Sequence, residues 1–179
     1  MRLTGGIWRG RRLKLMKGFK GRPTTDFGRE GLFNMLRTRV DLSGADVLDL
    51  FAGTGMLGME CASRGAESIT SVEKQNSSCR YIKEQFAILE FDRIAVLCCD
   101  AFKFMQRAST QFDLVFADPP YDLEGFSKIP GLVKKSELVV EGGLFVLEHG
   151  ENIAFSGEEG FTESRKFGHV HFSFFNFDS

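Results

Sequence analysis

Between residues 47 and 147 short apolar runs alternate with stretches of helical periodicity, and this alternation limits the fold more than any other feature of the chain. Residues 47–51, 68–72, 94–98, 112–117 and 144–147 read as buried strands. Residues 56–64, closed by Gly65, read as a helix, as do residues 76–89 with Tyr81, Ile82, Phe86 and Leu89 on one side. A short helix is expected over 101–108 and a weaker one around 132–140. Parallel strands need a crossover between them, so this order implies a mostly parallel sheet covered on both faces. The last stretch differs: residues 161–167, then Gly168, then 169–177 predict an antiparallel hairpin. The expected fold class is α/β, a Rossmann-like sheet of about seven strands whose last pair is antiparallel.

The first sheet strand runs into Asp49-Leu50-Phe51-Ala52-Gly53-Thr54-Gly55, and residues 53–58 fit G-x-G-x-x-G. Glu73, followed by Lys74, ends the next strand 20 residues after Gly53. A tight turn, close backbone approach and an acid for ribose hydroxyls suit a nucleoside cofactor, without choosing which one. Two details disfavour NAD. The Asp49 carboxylate would repel a pyrophosphate but would order the loop around a cation, and a chain of 179 residues has no room for a separate dehydrogenase substrate domain. S-adenosyl-L-methionine fits better, because it carries a sulfonium and an ammonium, no phosphate, and a ribose. Asp100-Ala101 follows the third strand. Asp100 can accept from an adenine amino group beside the Ala101 backbone, or cap the 101–108 helix, and the two roles are compatible.

Asp118-Pro119-Pro120-Tyr121 stands at the end of the fourth strand, the edge where open α/β sheets bind ligands. An exocyclic amino group on a base is a poor nucleophile because its lone pair is delocalised into the ring. A carboxylate and a backbone carbonyl accepting its two hydrogens localise that pair toward a methyl donor. The prolines lack N–H and fix φ, which holds the carbonyl still. Tyr121 can stack on the base.

Charge is unevenly spread. Residues 1–40 carry eleven Lys/Arg and two acids, while residues 41–179 carry twelve and twenty-two. Residues 1–22 hold eight basic side chains and no acid, with Leu3, Ile7, Trp8, Leu13 and Leu15 interleaved. A basic arm on an acidic body favours a polyanionic partner, and Gly5-Gly6 between two strand-like stretches predicts a β-hairpin. Residues 22–26 read as an extended segment ending in a helix cap. Leu32, Phe33, Leu36 and Val40 mark the helix that follows, and Gly28 and Gly31 weaken it unless they admit a ligand. Residues 1–22 are therefore taken as an extension of a domain spanning 23–179. The four cysteines, Cys61, Cys79, Cys98 and Cys99, read as reduced and buried, which points to a cytoplasmic location. No metal-ligand spacing, signal peptide or membrane-spanning run is expected. His149, His169 and His171 read as structural.

Residues 49–55 followed by Asp118-Pro119-Pro120-Tyr121 resemble amino-group methyltransferases dependent on S-adenosyl-L-methionine. Thr4-Gly5-Gly6 with Arg9-Gly10-Arg11, then Arg22-Pro23-Thr24-Thr25-Asp26, Arg29-Glu30 and Leu32-Phe33-Asn34, is similar to the start of the RsmD family. That resemblance spans nearly the whole chain. It implies methylation of the N2 amino group of a guanine in 16S ribosomal RNA of the small subunit, by an enzyme expected to act as a monomer. By position, Phe51, Ala52, Gly53 and Gly55, with Thr54, would line the methionine end of the cofactor. Glu73 would hold the ribose, and Asp100 with Ala101 the adenine, while Lys74, Asp49 and Asp118 would also belong to the cofactor-binding set. Asp118 and Tyr121 would hold the guanine. Arg9, Arg11, Arg12, Lys14 and Arg22 would meet RNA phosphates, and Arg29 would do so or help close the site. Where the family usually shows a basic residue, an aliphatic one and Arg-Glu-Ala, this chain has Phe27-Gly28-Arg29-Glu30-Gly31. Similar clamps serve methyltransferases of DNA adenine or protein amides, and an RNA-binding assembly factor with a vestigial methyltransferase fold is an alternative of another class.

Overall fold

The computed structural model describes residues 1–14, 16 and 25–177. Helix α1 (Asp26–Leu36) precedes a strict alternation of β1 (Asp46–Leu50), α2 (Met56–Ser63), β2 (Ser68–Glu73), α3 (Asn76–Ile88), β3 (Ile94–Cys98), α4 (Ala101–Met105) and β4 (Phe112–Ala117). A 3-10 turn (Phe126–Lys128) and α5 (Ile129–Lys135) lead to β5 (Val139–His149), β6 (Phe161–Phe167) and β7 (Val170–Phe175). The sheet order is β3-β2-β1-β4-β5-β7-β6. The first five strands pair in parallel, and β7 runs antiparallel between β5 and β6. The expected mixed sheet of about seven strands is what forms.

Period-two burial explains why these runs are strands. Val47, Leu114, Phe116 and Val146 belong to the core that also holds Leu32, Phe33 and Leu57, on the α1–α3 face. Their neighbours Leu48, Val115, Ala117 and Leu147 belong to the opposite core, with Met105, Ile129 and Val133 from α4 and α5. A strand buried on both faces needs apolar residues at consecutive positions, so these runs read as continuous rather than alternating.

The weak helix expected over 132–140 lies earlier. Pro130 suits its first turn, and Glu137 at φ 48° ends it. Val139 then opens β5 opposite Phe112, where β-branched side chains pack well. This strand is longer than the 144–147 run because Gly142, at φ 76°, absorbs a register shift against β4.

Thr25 caps α1, its Oγ1 accepting from Gly28 N at 3.1 Å. Residues 22–24 of the expected extended segment lie outside the described residues. Gly31 admits no ligand. A Cβ there would sit 2.3 Å from the Phe167 ring, so the glycine lets β6 pack against α1. The cysteine expectation is also corrected: Cys79 on α3 is joined to Cys98, an exposed residue at the end of β3, with 6.1 Å between their Cα atoms. Cys61 is buried as a thiol and Cys99 is half-buried.

Residues 1–14 of the basic N-terminal segment form an antiparallel bridge, Arg2 with Arg12, flanked by Leu3 N to Arg11 O and Leu13 N to Met1 O. These residues lie on the body instead of projecting from it. Leu3 and Leu13 join the core, Thr4 N donates to Glu60, and Ile7 N donates to Ser63 O. Gly6, at φ 73°, is required here, since a Cβ would fall 1.7 Å from Ser63 O. Among the described residues no helix is long and apolar enough to cross a membrane.

Candidate active site

Strand order reverses between β1 and β4, so their carboxyl ends bound a crevice. On the β1 side, Phe51 (φ 57°), Gly53 (φ 55°) and Gly55 (φ 68°) wind the chain through left-handed backbone into α2. Phe51 is the one non-glycine among them, a conformation costing on the order of 1–3 kcal/mol and found chiefly at functional sites. Its ring meets Phe102 edge-on at 6.0 Å. Ala52 N donates to Val72 O, Gly55 N donates to Ala52 O, and buried Thr54 faces Met1.

Glu73 braces this turn. One carboxylate oxygen accepts from Gly53 N at 2.9 Å and the other from Gln75 N at 2.7 Å. The acid 20 residues after the glycine is thus tied to it across the β1–β2 edge, while Lys74 points to solvent. Asp49 lies beneath, 1% exposed, accepting from Gly58 N at 3.3 Å. Burial, opposed by that hydrogen bond and helped by the charge of Glu73, pushes its carboxyl up to about 8. A buried carboxyl raised in this way is suited to a cationic ligand, so the residues present fit a sulfonium compound rather than a diphosphate. Asp100 caps α4 through Lys103 N at 3.0 Å, beside buried Ala101, which forms the capping role expected of it.

On the β4 side, Asp118 N donates to Leu50 O at 3.3 Å, fixing the lip to the end of β1. Burial, then the neighbouring charges of Glu148 and Asp49, hold the Asp118 carboxyl well above its ordinary range. Pro119 is buried and Pro120 exposed, with the Pro120 carbonyl accepting from Leu123 N. The Tyr121 ring rests on Gly150, its hydroxyl donates to Glu148 Oε1 at 3.2 Å, and nearly half of its surface is open.

Glu148 was not singled out from the sequence. It is 4% exposed and ends the apolar run of β5 as Asp118 ends that of β4. Since Ala117 pairs with Leu147, the two acids follow at neighbouring positions. An acid closing an otherwise apolar strand was the available signal. His149, next to it, is held by Ser173 Oγ and the Gly150 carbonyl, both at 2.8 Å, and burial lowers its basicity.

The basic residues are dispersed. Helices α2 and α3 run away from the carboxyl edge, so Ser63 and Ile88 at their ends mark the opposite edge. The 5–10 turn sits on Ser63, and Arg11 donates to Ile88 O at 2.8 Å, which places Arg9 and Arg11 far from Asp118. Arg12 and Lys14 are exposed along the return path, and Arg22 lies outside the described residues. Arg29 is corrected: 1% exposed, it bonds Glu60, Asp26 and the Arg2 carbonyl, so its charge is used inside the protein and no RNA phosphate reaches it.

A parallel sheet turned at β1/β4, closed by an antiparallel seventh strand and carrying a glycine turn opposite an Asp-Pro-Pro-Tyr lip, has the class I methyltransferase architecture. The Escherichia coli protein yhhF superposes on it with a TM-score of 0.87 over 100% of this chain and 98% of that one, at 28% identity. This chain belongs to the RsmD family, whose model, conserved hypothetical protein 95, matches residues 1–176. YlbH of Bacillus subtilis is 35% identical over 157 residues, covering 86% of this chain and 84% of that protein. Ribosomal RNA small subunit methyltransferase D of Escherichia coli is 37% identical over 121 residues, 68% of this chain and 60% of the enzyme.

Proposed function

We propose that this protein methylates the exocyclic N2 amino group of a guanine in 16S ribosomal RNA of the small subunit, using S-adenosyl-L-methionine, as a monomer in the cytoplasm. The observation that carries the reading is the placement of Asp118 and Tyr121 directly across the β1/β4 switch point from the glycine turn that Glu73 braces. The relation to the Escherichia coli small-subunit enzyme supports the choice of RNA.

When bound, S-adenosyl-L-methionine supplies an electrophilic methyl on sulfur, which the amino lone pair takes as the carbon–sulfur bond breaks toward sulfur. Asp49, which gives up its buried proton when a cation binds, would then put negative charge on the cofactor's side, and Glu73, already rigid, presents acceptors for ribose hydroxyls. Asp118 accepts one amino hydrogen. The Pro120 carbonyl is committed to its turn, so the Pro119 carbonyl is the acceptor for the second. These acceptors localise the nitrogen lone pair, and the open face of Tyr121 stacks on the ring. With its proton affinity raised by burial, Asp118 can take the proton the nitrogen sheds. Catalysis here is positioning plus preorganised charge.

The test is methylation with labelled cofactor of small subunits, naked 16S RNA and DNA, followed by nucleoside analysis. Label in N2-methylguanosine from ribosomal substrate is expected. Label confined to N6-methyladenine would overturn the reading.

A further inference from the structure

The lip alone does not distinguish guanine from adenine, because both carry an exocyclic amino group. Their neighbouring ring nitrogens differ. Guanine presents N1–H beside its N2 amino group, so the edge offers donors at adjacent positions. Adenine, and 2,6-diaminopurine at the same N1 position, presents a lone pair there. A pocket that is to choose guanine needs a second acceptor next to the one that holds the amino group.

The structure supplies one. Asp118 and Glu148 follow the paired residues Ala117 and Leu147 on adjacent parallel strands, where neighbouring chains stand about 4.8 Å apart. Glu148 is 4% exposed, and the Tyr121 hydroxyl that donates to its Oε1 at 3.2 Å belongs to the ring proposed to carry the base. A carboxylate accepts several donors at once, so the tyrosine contact and a ring N–H are compatible on one group. The Tyr121 bond also aims Glu148 toward the lip. Two acids side by side repel one another. A base with donors at both positions relieves that repulsion, and a base with a lone pair at N1 adds to it. Acceptors alone therefore select against the adenine-type edge by penalty as well as by attraction.

We infer that Glu148 is a base-recognition residue whose carboxylate accepts from guanine N1–H while Asp118 holds the N2 amino group. This rests on the guanine-N2 reading above and names the group that makes the choice.

The experiment compares two substrates once the modified position has been mapped. Small subunits are reconstituted on 16S RNA ligated to carry either guanine or 2,6-diaminopurine at that position. Both bases keep the N2 amino group; N1 donates in guanine and accepts in 2,6-diaminopurine, and C6 carries an oxygen in the first and an amino group in the second, so the change in their ratio on substituting Glu148 is what reads the N1 contact. The wild-type enzyme should favour guanine in kcat/KM by about tenfold or more, the range for removing a hydrogen bond to a buried charged group. Glu148→Gln, whose amide can donate to N1, should bring the two substrates to within about threefold of each other. Cofactor affinity, measured by calorimetry, should stay at the wild-type value and reports a folded variant. A merely structural role would lower both rates together and leave their ratio unchanged.

Wild-type enzyme that methylates guanine N2 yet treats both bases alike would overturn the role of Glu148 and leave the functional reading standing. An unchanged ratio in Glu148→Gln would do the same. Wild-type enzyme that places no label on guanine N2 would overturn the functional reading, and this inference with it.

Discussion

Arg29 Nε lies 3.5 Å from Glu60 Oε1, and both side chains are sealed from solvent. Glu60 also takes Thr4 N and Arg64, and Arg29 also takes Asp26 and the Arg2 carbonyl. One buried pair thus fastens α1, α2 and the N-terminal segment together. Arg29→Met keeps most of the volume and removes the charge. It should lower stability by about 1.5–3 kcal/mol, the range for losing hydrogen bonds to charged groups, since Arg64 still pairs Glu60. Urea unfolding checks this, and a wild-type midpoint would show that the pair holds nothing.

Arg12 should behave in the opposite way, because it is exposed on the bridge that faces outward. Arg12→Ala should leave the unfolding midpoint in place. It should reduce the slope of log affinity against log salt by about 0.7–0.9 for each phosphate the side chain neutralises. Titration of small-subunit RNA across a salt series reads this directly. An unchanged slope would mean that Arg12 does not touch the RNA.

Gly31 and Phe167 should be coupled. Gly31→Ala puts a methyl 2.3 Å from the ring and should destabilise by about 1–3 kcal/mol through overpacking, even though alanine favours helix. Phe167→Leu in the same chain should recover part of that cost, so the double variant is more stable than the two single costs sum to. Strict additivity would mean that the helix and β6 adjust independently.

The Arg29–Glu60 pair and the Gly31–Phe167 packing show what the sequence reveals and what it hides. The strand runs, the glycine turn and the Asp118 lip are local patterns, and each governs backbone conformation near itself. Glu73 was legible because its partner, Gly53, lies at a spacing that the strand–helix unit imposes. Arg29, Gly31 and Glu148 were misjudged or missed because their partners are 31, 136 and 27 residues away, in Glu60, Phe167 and Tyr121. A basic side chain in a basic segment carries no local mark of burial. The docked course of the arm was hidden likewise, since it depends on Ser63 and Glu60 at the far end of α2.

Asp118→Asn should separate chemistry from binding. The amide keeps the shape and an acceptor oxygen for the amino group, but it carries no charge and cannot take the proton. Turnover should fall by about 10²–10⁴-fold, while cofactor affinity stays within about twofold of wild type. Single-turnover methylation and calorimetry measure the two quantities separately. A variant of near-normal rate would dismiss Asp118 from the reaction.

Asp49 should make both stability and cofactor affinity depend on pH, with opposite signs. Its carboxyl is held near 8 in the folded protein against an ordinary 3.8, so the folded chain binds a proton that the unfolded chain has released. That contribution is complete below the ordinary value and is lost as pH climbs through the raised one, at about 1.4 kcal/mol for each pH unit. Asp49→Asn should flatten this part of the stability profile between roughly pH 4 and 8. A sulfonium favours the ionised carboxylate, so binding should draw the proton off and strengthen toward the upper end of the same window. Calorimetry near pH 7 in two buffers of different ionisation enthalpy should report proton release on cofactor binding by the wild-type protein. In Asp49→Asn the Asp49 part of that release should vanish, with weaker binding. Equal release in both proteins would place the cation elsewhere and leave Asp49 as a buried acid that only braces Gly58.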